Sequence, residues 1–368
     1  IRIPPVDMIE IGAGGGSIAR GDAIGLLKVG PDSAGSEPGP ACYSQGGKLP
    51  TLTDANLLLG YLGCGSFLGG GMQLDMDAAV EAVRRHVAEP LDVELVRAAW
   101  GMHEVINEDV ARAFRVHASE RGVDYRRCSM VVFGGSGPLH GARVARKLKI
   151  PRVICPAGAG VMSAFGLLSS PPTFEVVLSH RAELTALSAD SLESLVGEME
   201  NRAGRALAEG GVDKAELVFD RRVDMRYVGQ GHEVEVTLPE GPAAEILEAL
   251  PGAFAEAYRG VFGMALPDRP IEIVNWKIEA RGPVAGKTEG YRLAQFNQAG
   301  KAEIGTRRTW FPEFDDYVDC PVYDRYAMVA GERIQGPALI EERESTCVLG
   351  PRDKLHVDDM MNLIIEIG

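Results

Sequence analysis

Ser129-Met-Val-Val-Phe-Gly-Gly-Ser-Gly-Pro-Leu-His140 decides the fold. Ser129 to Phe133 is an apolar, β-rich run and reads as a strand. Gly134-Gly-Ser-Gly137 turns the chain, and Pro138 stands where the first turn of a helix tolerates a residue without an N–H. The helix continues to about Leu148, and Ile150 to Cys155 supplies a second apolar strand. Strand, loop, helix and strand in that order form a βαβ unit, with parallel strands and a right-handed crossover.

Upstream, Asp92 to about Arg121 is the longest helix in the chain. Val96, Trp100, His103, Ile106, Val110, Ala113 and Phe114 recur at three- and four-residue spacing, and Gly122 ends the pattern. Asp77 to His86 is a shorter helix. Thr53 reads as the N-cap of a helix that stops at Gly60. Residues 18–52 carry short apolar pieces broken by Gly and Pro and read as loop-rich structure. Val6 to Ile11 reads as a short buried strand that runs into Gly12-Ala-Gly-Gly-Gly-Ser17.

Beyond about residue 180 the pattern becomes α+β. A charged helix, Ser188 to Glu209, precedes the strands Glu216 to Tyr227 and His232 to Leu238. The helix Ala243 to Tyr258 and the alternating strand Ile271 to Ala280 follow. From Gly286 onward short strands are punctuated by Gly331, Gly336-Pro337 and Gly350-Pro351, and the polar stretch from Val284 to Arg308 reads as a linker. No internal repeat is found.

A length of 368 residues implies two or three domains. With 38 basic and 52 acidic residues the net charge is −14, which argues against nucleic acid and anionic membrane surfaces as partners. The longest apolar run, Ala157 to Leu168, is too short to span a bilayer and is broken by three glycines and Ser163. No basic-then-apolar leader is present. The six cysteines are scattered and include no CxxC pair, as expected of thiols in a reducing, cytoplasmic compartment. The seven histidines form no HExxH or HxH, so no zinc site is encoded; magnesium held by carboxylates and phosphate would leave no such trace.

Three motifs bear on chemistry. A dinucleotide fingerprint needs Gly at its sixth position and a helix after it; here Ser17 stands there and Arg20-Gly-Asp22 follows, so that reading fails. Gly14, Gly15 and Gly16 either present a nest of N–H groups to an anion or form a tight loop where two backbones approach. Gly282-Pro-Val-Ala-Gly-Lys-Thr288 has three residues where a phosphate-binding loop has four, and no helix follows.

In Phe133 to His140, a nucleophile elbow on Ser136 would require Gly at position 138. Nucleotide binding fits better: paired glycines at a strand end let a flat ligand lie against the backbone, and a helix N-terminus favours phosphate or a polarised ring edge. A plain strand-to-helix turn is the alternative. His103 and His117 lie near the buried stripe of the long helix and read as core residues. In the hairpin Asp224 to Glu233, the side chains of Arg226, Gln230 and His232 either contact a ligand or partner or simply brace the turn.

Several segments together resemble the hydantoinase A/5-oxoprolinase family. They are Ile11-Gly-Ala-Gly-Gly-Gly-Ser-Ile-Ala19, Ser33-Ala-Gly-Ser-Glu-Pro-Gly-Pro-Ala-Cys-Tyr43, Thr51-Leu-Thr-Asp-Ala-Asn56, Phe133 to His140, Asp224 to Gly231 and Gly336-Pro-Ala-Leu-Ile340. The resemblance implies an actin-like ATPase portion of α/β class, of the sugar kinase and heat-shock chaperone type, followed by α+β and β-rich regions. The expected division is 1–180, 181–285 and 286–368.

The resemblance further implies use of ATP, with magnesium or manganese, to activate a carbonyl by phosphorylation. That step opens a cyclic amide (hydantoin, 5-oxoproline or a lactam) or carboxylates a ketone. Gly134, Gly135, Ser136 and Gly137 match the adenosine-binding turn. Glu10, Glu37 and Asp54 sit in or beside the family loops as candidates to hold the metal or orient the carbonyl, and the metal ligands stay unassigned. The family's Asp-x-Gly-Gly-Thr and Asp-Met-Gly-Gly-Thr loops are not found in this sequence. The chain therefore looks like the second half of such a protein, completed by an N-terminal half and a hydantoinase B-like subunit. The opposing possibility is a non-catalytic assembly or regulatory subunit that keeps the fold without the phosphate loops.

Overall fold

The computed structural model describes residues 8–22, 24–266, 269–284 and 300–368. In chain order the first elements are β1 (Ser17–Gly21), β2 (Leu27–Ser33), α1 (Leu52–Leu58), α2 (Met76–Val83), α3 (Glu89–Leu91) and α4 (Leu95–Glu120). β3 (Ser129–Val131), α5 (Gly137–Leu148), β4 (Arg152–Cys155) and α6 (Met162–Ser169) follow. Then come β5 (Thr173–Glu183), α7 (Ala189–Glu209), β6 (Val218–Tyr227), β7 (Val234–Thr237), α8 (Ala243–Phe262) and β8 (Ile271–Arg281). The last are β9 (Glu303–Phe311), β10 (Asp316–Asp324), β11 (Arg333–Gln335), β12 (Ala338–Glu341), β13 (Thr346–Leu349), β14 (Lys354–Val357) and β15 (Leu363–Glu366).

The described residues fold as two compact units, one within Gly166–Glu289 and one within Pro5–Phe165 and Gly290–Gly368. The second unit contains the βαβ segment. β3 and β4 are parallel, pairing Met130 with Val153 and Val131 with Ile154, and α5 crosses between them. The sheet then continues with strands from the far end of the chain, in the order β11-β14-β15-β4-β3. β15 lies antiparallel to β4, with Leu363 opposite Cys155. Strands from the region 286–368 thus share a sheet and a core with the βαβ segment. Leu355, Val357, Leu363 and Ile365 bury their side chains in the same core as Val144, Leu148 and Val153. A four-stranded sheet, β13-β12-β10-β9, lies in the same unit.

The second core of this unit gathers α1, α2 and α4 through Leu52, Leu57, Leu59, Val83, Met102 and Ile106. Two local readings change here. The N-cap of α1 is Thr51, not Thr53: its hydroxyl accepts from the Asp54 N–H while the Asp54 carboxylate accepts from the Thr51 N–H, a capping box. The supposedly loop-rich 18–52 contains an antiparallel hairpin, β1 with β2. The strand expected over Val6–Ile11 does not form across its described part, residues 8–11, and Met8, Ile9 and Ile11 are exposed.

The other unit is a two-layer α+β fold. Its sheet runs β5-β8-β6-β7, all neighbours antiparallel. Val223, Met225, Ile273, Trp276 and Ile278 are buried with Leu192, Met199, Leu250 and Phe254 of α7 and α8. Ser188 caps α7 with its hydroxyl accepting from the Ser191 N–H. Of the linker expected over 284–308, residues 285–299 lie outside the described part, as does most of Gly282–Thr288; Glu303 to Arg308 belong to β9.

Candidate functional site

The turn after β3 opens into a cavity of about 260 Å³ within the second unit. Gly135 and Ser136 form one side of it, Gly15 with Thr53 and Asn56 another, and the β12–β13 turn from Glu341 to Thr346 closes it. Three sequence segments that are far apart in the chain therefore meet at one site.

Each contributor is fixed locally. The carbonyl of Gly15 accepts from both the N–H of Thr53 (2.9 Å) and its hydroxyl (2.9 Å), tying the glycine loop to the first turn of α1. A Cβ on Gly15 would stand 2.8 Å from Thr53 Oγ1, so the close approach requires glycine. Gly16 packs against Ser33 and Gly35, and its carbonyl accepts from the Ala34 N–H at 2.9 Å, which is the tight-loop reading of this segment. Gly134 has a φ of +88° and donates its N–H to the Ala159 carbonyl at 2.8 Å. Gly135 leaves room for the carbonyl of Glu344. The turn before α5 thus meets the cavity through the backbone of Gly135 and through Ser136.

The β12–β13 turn brings Glu341, Glu342, Arg343 and Glu344 to the cavity. Glu341 accepts from Ser66 Oγ (2.8 Å) and Arg307 (2.6 Å). Glu342 accepts from the fully buried Arg325 at 3.1 Å, and the guanidinium also donates to the Met361 carbonyl. Burial pushes the Glu342 carboxyl above its usual range, against the opposing pull of Arg325. Sequence reasoning missed this turn; its only trace was the adjacent Gly336-Pro-Ala-Leu-Ile340 segment, which becomes the β-strand leading to it.

The other candidates fall elsewhere. Asp54 is fully buried and its carboxylate accepts from the N–H groups of Ala41 (3.3 Å), Cys42 (2.7 Å) and Thr51 (2.7 Å) and from the Thr51 hydroxyl (2.7 Å). These four hydrogen bonds hold the 41–54 segment. Glu10 and Glu37 are exposed and do not line the cavity. Gly14 and Gly137 line a second, apolar trough on the other side of Ser136. Among the described residues no three His, Cys, Asp or Glu side chains converge as a metal site.

Behind α5, His103 and His140 stack at 4.3 Å and 19°, each with Nδ1 on an asparagine oxygen, Asn56 and Asn107, at 2.8 Å. Burial holds both imidazoles below the usual histidine range, His140 down to about 4. They are core groups, as read from the sequence for His103. At the hairpin, Arg226 pairs with Glu272 (2.8 Å) and Gln230 donates to the Tyr258 hydroxyl (2.7 Å), so both brace the sheet.

The family model for hydantoinase/oxoprolinase matches residues 1–176, and that for the hydantoinase/oxoprolinase C-terminal domain matches residues 180–365. The chain is 32% identical over 364 residues to caprolactamase subunit alpha of Pseudomonas jessenii, covering 97% of this chain and 52% of that subunit. It is 30% identical over 383 residues to the acetophenone carboxylase gamma subunit of Aromatoleum aromaticum, covering 100% and 51%. The solved nucleotide-free acetone carboxylase, described in terms of ATP-dependent acetone carboxylation, superposes with a TM-score of 0.84 at 25% identity, covering 97% of this chain and 52% of that one. The chain spans about half the length of the relatives it matches. No helix among the described residues is long and apolar enough to cross a membrane. By both family models and by its fold, the chain belongs to the hydantoinase/oxoprolinase family.

Proposed function

We propose that this chain forms the nucleoside side of a nucleotide cleft in an ATP-dependent enzyme that activates a carbonyl by phosphorylation. The product is a hydrolysed cyclic amide or a carboxylated ketone. The observation that carries the reading is the convergence of Gly15, Gly135, Ser136 and the acidic β12–β13 turn on one cavity. A purine lies flat on the glycine backbone, and carboxylates suit the ribose hydroxyls and the amino edge of a base, which are hydrogen-bond donors.

Phosphoryl transfer depends on positioning and charge stabilisation. Arg307 and Arg325 are paired with Glu341 and Glu342, and the arginine that lines the cavity, Arg343, lies over the Tyr326 ring at 5.6 Å. In this reading the phosphate grips come from a complementing half of the family architecture, with a hydantoinase B-like subunit as a further partner. Magnesium arrives with the nucleotide. The exposed Glu10 and Glu37 belong to the surface that this half completes. The free thiols suit a reducing cytoplasm.

The test is ATP turnover. The 368-residue chain alone gives no Mg-ATP hydrolysis, whereas the reconstituted complex releases phosphate when supplied with a cyclic amide, or with a ketone and bicarbonate. Ring-opened acid against carboxylated product decides the reaction. Turnover by the chain alone would refute the division of labour, and a complete complex without turnover on any of these substrates would support a scaffold.

A further inference from the structure

Asn56 lies within α1 and is 1% exposed, yet it lines the cavity. It is this chain's own packing that encloses it: α1 rests on α4 through Leu52, Leu57 and Met102, which sets Asn56 against His103. His103 Nδ1 stands 2.8 Å from the Asn56 side-chain oxygen, so the neutral imidazole carries its proton on Nδ1 and donates it there. With the oxygen turned to the imidazole, the NH2 end is the one left for the cavity. Among the described residues Asn56 Nδ2 donates no hydrogen bond to a protein acceptor.

The amide is held in that sense by a rigid support. His103 is 2% exposed and is stacked between Trp100 (5.4 Å, 25°) and His140 (4.3 Å, 19°), with Tyr61 against its edge at 5.2 Å. While the proton sits on Nδ1, flipping the amide would set two N–H donors face to face. Other donors around the cavity are occupied: the Thr53 hydroxyl donates to the Gly15 carbonyl (2.9 Å) and the Ser66 hydroxyl to Glu341 (2.8 Å). The unpartnered Ser136 hydroxyl belongs to the turn already proposed to carry the nucleoside.

The carboxylates of the β12–β13 turn accept from amino and hydroxyl groups. They cannot satisfy the ring nitrogens of a purine, which only accept, and an enclosed acceptor without a donor is costly. We propose that Asn56 Nδ2 donates to a ring nitrogen of the bound purine, with His103 as the positioning residue that fixes the amide. The inference rests on the proposed function and deepens it, by naming a group outside the glycine turn that reads the base.

The experiment measures the affinity of the reconstituted complex for Mg-ADP and for its 1-deaza, 3-deaza and 7-deaza analogues, each with one ring nitrogen replaced by C–H. One analogue binds the parent about tenfold more weakly than ADP does. Asn56→Ala binds ADP as weakly as it binds that analogue. Asn107→Ala, at a residue as buried as Asn56 and bonded to the other histidine of the stack but not lining the cavity, keeps the parent's discrimination. His103→Phe loses the discrimination, and His103→Gln, which still offers a donor to the Asn56 oxygen, keeps most of it. Ratios between ligands on one variant cancel any general loss of folded protein. Equal binding of ADP and all three analogues by the parent, or undiminished discrimination by Asn56→Ala, overturns the ring-nitrogen contact alone. So does discrimination only against the diphosphate of purine riboside, which lacks the 6-amino group, since the amide would then present its oxygen. A complete complex that binds no adenine nucleotide sinks the functional reading and this inference with it.

Discussion

Asp54 shows what a candidate residue becomes once its partners are visible. One carboxylate takes four hydrogen bonds from backbone and hydroxyl donors at 2.7–3.3 Å. Asp54→Ala leaves those donors buried and unmet, and the expected loss is on the order of 3 kcal/mol or more, read as a fall in denaturation midpoint. A variant as stable as the parent would contradict the bracket role. The histidine stack yields a pH prediction. His140 titrates near 4 when folded and near 6.5 when unfolded, so below pH 6.5 the unfolded chain binds more protons and stability falls with pH. From pH 7 to 5.5 the loss from His140 is roughly 1 kcal/mol. His140→Phe flattens that slope; thermal melts at the two pH values check it, and an unchanged slope would contradict it.

At the scale of elements, those with local signals were legible in the sequence. α4 spans Leu95–Glu120 because its apolar residues keep a helical period, and α5 begins at Gly137 where Pro138 suits a first turn. Partnerships between distant strands carry no local signal, which is why β14 and β15 read as a separate domain rather than as extensions of β4. The β1–β2 hairpin was hidden by its Gly and Pro content, and Val6–Ile11 shows the converse, an apolar run without a strand partner across residues 8–11. For the site, the Gly135–Ser136 turn was legible from residue type. The β12–β13 turn was not, since it reaches the cavity through the pairing of those strands.

The α+β unit carries its own prediction. Lys277 Nζ lies 2.8 Å from Asp224 and 2.7 Å from Glu235, and Asp224 is almost wholly buried. Lys277→Met strands that carboxylate and destabilises the unit by about 3 kcal/mol, whereas Asp224→Asn with Lys277→Met recovers most of it. Denaturant melts followed by the fluorescence of Trp276 separate the two outcomes; equal losses would contradict the pairing.

At the scale of the whole molecule, we propose an adenosine floor on this chain and phosphate grips on a complementing half. The most direct measurement is photolabelling of the reconstituted complex with an azido-adenine analogue of ATP in the presence of magnesium, followed by peptide mapping. The predicted adducts lie within residues 133–139 or 341–346 and disappear when unlabelled ATP is added in excess. Labelling that competes with ATP but maps wholly outside both segments would contradict the account.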